Sequence, residues 1–193
     1  MIKLKHLLRE NKEEVIKNAL RVYWNFVFNA LSGRNPDSYY RQYQKEINIV
    51  ADALKKRYGP SSGGTAWRGI ILDPSEVHNG KVNHVDIITY VSFTEDKRIA
   101  IAFGDIENPM AEFMMARYPN KQGYLITDTW TPDILLFHWK WINDANMWPA
   151  VEHVFGDSAK YMKMQKELIL KPKPYYYVEP ILPGASGGLI VGT

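Results

Sequence analysis

The sequence contains no cysteine, which excludes disulfide bonds, thiolate nucleophiles and cysteine-based zinc sites. It also lacks any apolar run of about 18 residues, the length at which a membrane-spanning helix becomes a candidate. Neither sign of charge is in large excess, because the formal net charge is +3 and the lysines and arginines are spread along the chain. No basic block therefore demands a nucleic-acid partner. We expect a disulfide-free chain with no membrane partner.

Metal-ligand spacing is also missing from the five histidines. His78 and His84 flank a predicted turn, and His138 lies among aromatic residues. None of the five has a histidine partner four residues away on a predicted helix, which is a common spacing for two metal ligands. We therefore predict that the protein binds no metal.

The composition that is present is typical of a globular protein. Of the 193 residues, 46% are hydrophobic and 23% are charged, which argues against disorder and against a fibrous repeat. A chain of this length holds one core and leaves little room for two. We predict a single domain over residues 1–193, with a helical part at 1–58, a β-rich core at 65–181 and a tail at 182–193.

Two helical patterns begin the chain. Apolar residues recur at helical spacing from Ile2 to about Leu31, and we expect this helix to be in two pieces. Turn-forming residues at 32–37 interrupt the pattern, and a second helix is predicted from about Ser38 to Tyr58.

After a glycine-rich loop the sequence changes to short β-branched and aromatic runs bounded by turn residues. These runs predict strands at residues 65–72, 85–93, 123–130, 162–170 and 175–181. A short helix is predicted from Glu95 to about Phe103, and residues 132–154 fit either a strand or a helix. The tail at residues 183–188 is predicted to be loosely held.

The first motif with candidate chemistry is Trp67-Arg68-Gly69 on the first predicted strand. A single arginine is most often a solvated surface charge. A guanidinium can also bind a phosphate or diphosphate through paired hydrogen bonds, and a following glycine lets main-chain groups come close to a ligand. Arg68 is therefore a candidate anion-binding residue.

Two further motifs follow. Ser92-Phe93-Thr94 places two hydroxyls where a strand runs into a helix, and its simplest interpretation is a helix N-cap by Thr94 or Ser92. The third motif is Gln165-Lys166-Glu167, in which strand alternation places Gln165 and Glu167 on one face. Taken alone, this third motif is most simply a polar strand edge.

In this order the three motifs resemble the arginine, serine and glutamate signature of the toxin-like mono-ADP-ribosyltransferases. That signature has an aromatic-Arg-Gly strand, a Ser-x-Ser/Thr strand end and a Gln/Glu-x-Glu strand, and the resemblance covers about residues 65–170. It implies an α+β fold, the ADP-ribosyltransferase fold, in which N-terminal helices precede a split pair of mainly antiparallel sheets around an NAD cleft.

The resemblance also implies roles for individual residues. Arg68 would hold the phosphates of NAD, and the main chain of Gly69 would face the nicotinamide amide. Ser92 would position Glu167 by a hydrogen bond. Glu167 would bind the nicotinamide ribose and stabilise positive charge as the glycosidic bond breaks. Thr94 retains the second hydroxyl of the strand-end motif and is implied in NAD binding.

The resemblance implies that Gln165 helps to determine which acceptor is modified. In this family a glutamate there generally accompanies arginine modification, whereas a glutamine occurs in enzymes that modify asparagine or guanine. An amide cannot act as a base at neutral pH, so an acceptor other than arginine is implied. The loop at residues 156–163 would contact the acceptor through Tyr161. Phe103 would stack near nicotinamide, with a core position as the alternative.

The expected function is transfer of ADP-ribose from NAD to a macromolecular acceptor with release of nicotinamide. The acceptor is expected to be a host or bacterial protein, with nucleic acid as the alternative. Two other interpretations stay open. Water could be the acceptor, which would make the protein an NAD glycohydrolase, or the chain could be an inactive module that binds a partner.

The N-terminus suggests a biological setting. Residues 1–11 carry charges and no apolar segment of signal-peptide length. Leu8-Arg9-Glu10 resembles the Leu-x-Glu cleavage sites and capsid-targeting leaders of proteins packaged in the heads of large tailed phages. This implies a location in the cytoplasm of a phage-infected cell or in a virion, with a bacterial toxin or effector as the alternative.

Overall fold

The computed structural model describes residues 2–31, 37–60, 62–83, 90–109 and 120–189. The chain divides into two compact units, residues 1–58 and 59–193. This boundary lies where the sequence changes from helical to β-forming patterns. Side chains of residues 2–13 lie outside the described part, so the interpretation of Leu8-Arg9-Glu10 as a leader stays a prediction. Among the helices that the structure describes, none combines the length and apolar character needed to cross a bilayer.

The first unit contains two helices, α1 (Ile2–Leu31) and α2 (Asp37–Tyr58). The expectation that α1 is in two pieces was wrong, because the segment contains neither glycine nor proline and nothing interrupts its hydrogen bonds. Both helices bury apolar residues at helical spacing, and the rings of Phe26 and Tyr40 lie 5.3 Å apart. α2 has a kink at Tyr43, where the main chain leaves the helical region.

The second unit contains a seven-stranded sheet in the order β2-β7-β4-β1-β3-β6-β5, with antiparallel pairing throughout. The strands are β1 (Gly64–Leu72), β2 (Lys81–Asn83), β3 (Val91–Thr94), β4 (Gln122–Trp130), β5 (Leu135–His138), β6 (Glu167–Leu170) and β7 (Tyr175–Ile181). The predicted strands at 65–72, 123–130 and 175–181 are confirmed to within one residue at either end. Residues 84–89 of the predicted strand at 85–93 lie outside the described residues.

Among the described residues, the sheet is accompanied by the α-helices α3 (Lys97–Gly104), α4 (Lys140–Asp144), α5 (Trp148–Phe155) and α6 (Ser158–Gln165). The ambiguous segment at 132–154 contains both structures, because β5 is followed by α4 and α5. With helices and an antiparallel sheet, the predicted α+β class is confirmed.

The pairing between β1 and β3 is limited to a single pair of residues. β1 pairs with β4 along its whole length, from Gly64 to Leu72, whereas its pairing with β3 is confined to Trp67 and Thr94. β3 in turn pairs with β6 from Val91 to Thr94. The sheet therefore consists of a four-stranded part and a three-stranded part that meet at one residue pair.

The predicted strand at 162–170 was wrong in its first half. Residues 158–165 form α6, Lys166 adopts a left-handed conformation with φ 47° and ψ 50°, and only Glu167–Leu170 is a strand. The reason is local, because residues 158–165 contain alanine, lysine, methionine and glutamine, which favour helix, and no β-branched residue.

The expectation of a loosely held tail was also wrong. Both carboxylate oxygens of buried Asp105 accept hydrogen bonds from the tail main chain, from Gly184 and Ser186, each at 2.9 Å. Asn108 adds a hydrogen bond from its side-chain amide to the main-chain oxygen of Leu189 at 2.8 Å. Such contacts satisfy main-chain donors that glycine-rich composition alone would leave to solvent.

Candidate active site

Glu167 is a buried carboxylate at the start of β6. Only 7% of the residue is exposed, and its Oε1 accepts a hydrogen bond from the Ser92 hydroxyl on β3. Burial raises the pKa of Glu167 from 4.5 to about 7, and it outweighs the lowering by the Ser92 hydrogen bond and by the positive charge of Arg68. Shifts of this kind are enriched at catalytic sites because a buried group can then change protonation near neutral pH.

Arg68 is a partly buried cation beside this carboxylate. Its Nη1 donates to the main-chain oxygen of Ser92 at 2.6 Å, whereas its buried Nε has no acceptor among the described residues. Burial lowers the pKa of Arg68, and the nearby Glu167, Tyr176 and Tyr90 oppose that change. A buried N–H without an acceptor is costly, and an anion bound beside Arg68 would remove that cost.

Ser92 makes hydrogen bonds with both charged residues, close to the single residue pair that connects β1 and β3. Its hydroxyl donates to Glu167, and its main-chain oxygen accepts from Arg68. Within the described residues, Ser92 lies beyond the single pair that connects the two strands, so no main-chain donor of β1 is opposite it. The Arg68 side chain supplies the missing donor. The structure therefore brings together the arginine, serine and glutamate that the sequence placed in three separate motifs.

Gly69 is required by the packing of α3 on β1. A Cβ atom at Gly69 would lie 1.8 Å from the main-chain oxygen of Ala100 and 2.5 Å from the nitrogen of Gly104, so any larger residue would force α3 away. This is a structural reason for the glycine beside Arg68. The expected role of the Gly69 main chain toward nicotinamide stays a prediction.

Thr94 holds the turn that precedes Glu167. Its hydroxyl donates to the main-chain oxygen of Gln165 at 2.5 Å and accepts from the main-chain nitrogen of Asp96 at 3.0 Å. The N-cap of α3 is Asp96 rather than Thr94 or Ser92, since the Asp96 carboxylate accepts from the nitrogen of Arg98. The N-cap interpretation of the second motif was thus wrong by two residues.

Gln165 does not share a strand face with Glu167. It is the last residue of α6, and the left-handed Lys166 changes the chain direction between the two residues. The alternation argument for Gln165 was therefore wrong, because strand alternation requires extended main chain at all three positions. The main chain of Gln165 nevertheless remains next to the site through its hydrogen bond with Thr94.

The other two predicted site residues lie on helices. Phe103 is partly buried on α3 and packs against Ile99 and Ala102, which favours the core alternative over the stacking role. The main chain of Tyr161 is in α6, so the predicted contact loop at 156–163 is largely helical, while the Tyr161 side chain lies outside the described part.

A second acidic group, missed in the sequence, lies next to this site. Trp139 donates from Nε1 to Glu95 Oε2 at 2.7 Å, and His138 Nε2 lies 3.5 Å from Glu95 Oε1. The hydrogen bond with His138 makes the largest contribution to a pKa of Glu95 lowered from 4.5 to about 2, and Trp139 contributes further. Glu95 directly follows the strand-end motif, but its partner Trp139 is 44 residues away, so no local pattern connects them.

No group of three or more histidine, aspartate or glutamate side chains suited to a metal ion occurs in the part of the chain that the structure describes. Comparisons with protein-family profiles, with curated proteins and with solved structures found no match. The geometry of the site and the sequence resemblance therefore carry the functional argument.

Proposed function

We propose that the protein is a mono-ADP-ribosyltransferase that cleaves NAD and transfers ADP-ribose to a macromolecular acceptor. The observation that carries the proposal is that Ser92 contacts both Arg68 and Glu167, where β1 and β3 are connected by a single residue pair. Transfer of ADP-ribose from NAD calls for a group that binds the diphosphate and a carboxylate near the ribose, and Arg68 and Glu167 supply these two groups here.

The chemistry of Arg68 fits a diphosphate. Its Nη1 is used by Ser92, and its buried Nε still needs an acceptor among the described residues. Phosphate oxygens accept several hydrogen bonds from one guanidinium and carry negative charge, so they would satisfy this nitrogen. A neutral substrate would leave the desolvated cation without a counter-charge other than Glu167.

Glu167 would act on the ribose. In the transfer, the bond between the ribose C1′ and the nicotinamide nitrogen breaks, nicotinamide leaves with the bonding electron pair, and C1′ bonds to an acceptor atom that loses a proton. Positive charge develops on the sugar ring, and an ionised carboxylate in a largely water-free pocket stabilises it. The Ser92 hydrogen bond holds Glu167 Oε1 in place.

The acceptor is proposed to be a bacterial or host protein modified at a residue other than arginine. Gln165 lies within two residues of Glu167, and its main chain is held by Thr94. A side-chain amide can orient an acceptor by donating and accepting hydrogen bonds but cannot remove a proton from a guanidinium. This part of the proposal rests on residue type and chain position.

The test compares wild type with Glu167→Gln, using NAD labelled in its adenine and a bacterial lysate. Nicotinamide release and label on macromolecules are followed together. We expect Glu167→Gln to lower both by on the order of 100-fold to 1,000-fold, because the stabilising charge is lost while the shape of the side chain is kept. The matched control is Glu179→Gln, an exposed carboxylate on β7, which should not change either rate.

The outcomes separate the alternatives. Label removed by protease supports transfer to protein, and label removed by nuclease moves the acceptor to nucleic acid. Nicotinamide release without any label indicates a glycohydrolase. If Glu167→Gln turns over NAD as fast as wild type, or if wild type turns over no NAD, the catalytic proposal is overturned.

A further inference from the structure

The turn that carries Glu167 is held at two consecutive carbonyl groups. The main-chain nitrogen of Glu95 donates to the oxygen of Lys166 at 3.2 Å, and the main-chain nitrogen of Trp139 donates to the oxygen of Glu167 at 3.0 Å. One donor comes from the end of β3 and the other from the residue after β5. The position of Glu167 therefore depends on how these two segments are fixed to each other.

The Glu95 side chain fixes them. Its carboxylate accepts from Trp139 Nε1 at 2.7 Å and lies 3.5 Å from His138 Nε2. His138 Nδ1 accepts from the main-chain nitrogen of Lys140 at 3.2 Å, so the ring proton is on Nε2 and faces Glu95. His138 is 2% exposed, and the Glu95 side chain is 24% exposed, so water competes little for these bonds.

The turn needs such support because Lys166 is left-handed, with φ 47°. This conformation is sterically disfavoured for any residue other than glycine, and it persists only where surrounding contacts require it. The hydroxyl of Thr94, at the oxygen of Gln165, supplies one such contact, and the two main-chain donors supply the others.

We propose that Glu95, His138 and Trp139 form a clamp that positions Glu167, with Glu95 as its central positioning residue. The clamp joins the end of β3 to the end of β5 across the start of β6, and it holds the consecutive carbonyls of Lys166 and Glu167. Its existence rests on the contacts alone, whereas its effect on turnover rests on the proposed function.

The first test is hydrogen exchange followed by mass spectrometry, which needs no activity. Trp139→Phe removes the indole N–H donor with its five-membered ring and keeps a six-membered aromatic ring and the main-chain N–H, and Glu95→Ala removes the whole carboxylate. Both variants should exchange the amides of residues 93–97 and 137–141 at least about tenfold faster than wild type. Arg98→Ala is the matched control, since Arg98 binds the neighbouring Asp96 at the surface and should leave these amides unchanged.

The second test is kinetic. Glu95→Ala and Trp139→Phe should lower kcat for nicotinamide release about tenfold or more with KM for NAD within about twofold, because a small displacement of a reacting group slows the chemical step more than it weakens binding. Glu95→Gln keeps an oxygen for Trp139 and should recover part of the loss. The double variant of Glu95→Ala and Trp139→Phe should be no slower than Glu95→Ala, since Glu95→Ala already removes the hydrogen bond that Trp139→Phe removes.

Unchanged exchange in Trp139→Phe and Glu95→Ala would overturn the clamp. Faster exchange with unchanged kcat would overturn its positioning role. If wild type shows no NAD turnover, the proposed function fails while exchange still decides the clamp. Circular dichroism of each variant separates a local effect from unfolding, and Trp139→Phe remains the decisive variant if Glu95→Ala does not fold.

Discussion

Glu167 and Glu95 are two glutamates on neighbouring strand ends, and their surroundings act on them in opposite directions. Burial raises the pKa of Glu167 to about 7, although Ser92 and Arg68 oppose it. The hydrogen bond with His138, with help from Trp139, lowers the pKa of Glu95 to about 2. The difference shows that the balance between burial and hydrogen-bond donors, rather than position in the chain, decides the charge state of a carboxylate.

This contrast assigns different work to the two residues. Glu95 stays ionised at all ordinary pH values and is used for structure. Glu167 changes its charge near neutral pH, and its charged form is the one that can stabilise a cationic sugar. Pairs of acids whose pKa values are pushed apart commonly divide roles in this way.

The largest expected effect is on the pH dependence of NAD turnover. If Glu167 acts in its ionised form, as proposed, kcat/KM should rise about tenfold per pH unit below about 7 and level off above it. Ser92→Ala removes a hydrogen bond that lowers the pKa of Glu167, so the rise should move to higher pH and the rate at neutral pH should fall at least about tenfold. Initial rates of nicotinamide release between pH 5 and 9 measure both.

The matched control is Ser62→Ala, an exposed serine in the loop before β1, whose profile should coincide with that of wild type. A profile that does not change between pH 5 and 9 would remove Glu167 from the chemistry.

The next effect is on stability, with opposite signs at the two glutamates. A raised folded-state pKa means that stability falls as pH rises from about 4.5 to about 7, so Glu167→Gln should be more stable than wild type at about pH 8 by on the order of 1–3 kcal/mol. For Glu95 the folded-state pKa is lowered, so its ionised carboxylate stabilises the fold above about pH 4.5. This stabilisation is lost as the pH falls toward about 2. Glu95→Gln should therefore be less stable at pH 8 by a similar amount.

Urea unfolding of wild type, Glu167→Gln and Glu95→Gln at pH 8 and pH 4 tests these two stability predictions. The gain for Glu167→Gln should vanish at pH 4, where the native Glu167 is protonated in the folded state. If both variants change stability in the same direction at pH 8, the contrast between the two glutamates is wrong.

The smallest expected effect is at Lys166. Glycine adopts φ 47° without the steric cost that lysine bears, so Lys166→Gly should raise the free energy of unfolding by about 0.5–1 kcal/mol. Lys163→Gly, three residues earlier in the last turn of α6, should lower it by about 1 kcal/mol. Urea unfolding distinguishes the two, and equal losses would show that Lys166 is not left-handed in solution.

Much of the fold followed from local patterns. β1, β4 and β7 are runs of β-branched and aromatic residues between turn residues, and their bounds agree with prediction within one residue at either end. The change from helical to β-forming sequence near residue 59 coincides with the boundary between the compact units. The prediction was wrong at residues 162–165, which were assigned to a strand that continues to residue 170, whereas the alanine, lysine and methionine residues of α6 favour helix.

The sequence by itself determined the candidates for chemistry, because arginine, serine and glutamate are present in a given order with given neighbours. Only the tertiary structure decided which of them meet: Ser92 reaches Glu167 across 75 residues, and Glu95 reaches Trp139 across 44. Burial and hydrogen-bond partners depend on such distant contacts, which local periodicity does not encode. For that reason the two glutamates are the same residue type in the sequence, but their pKa values shift in opposite directions in the folded protein.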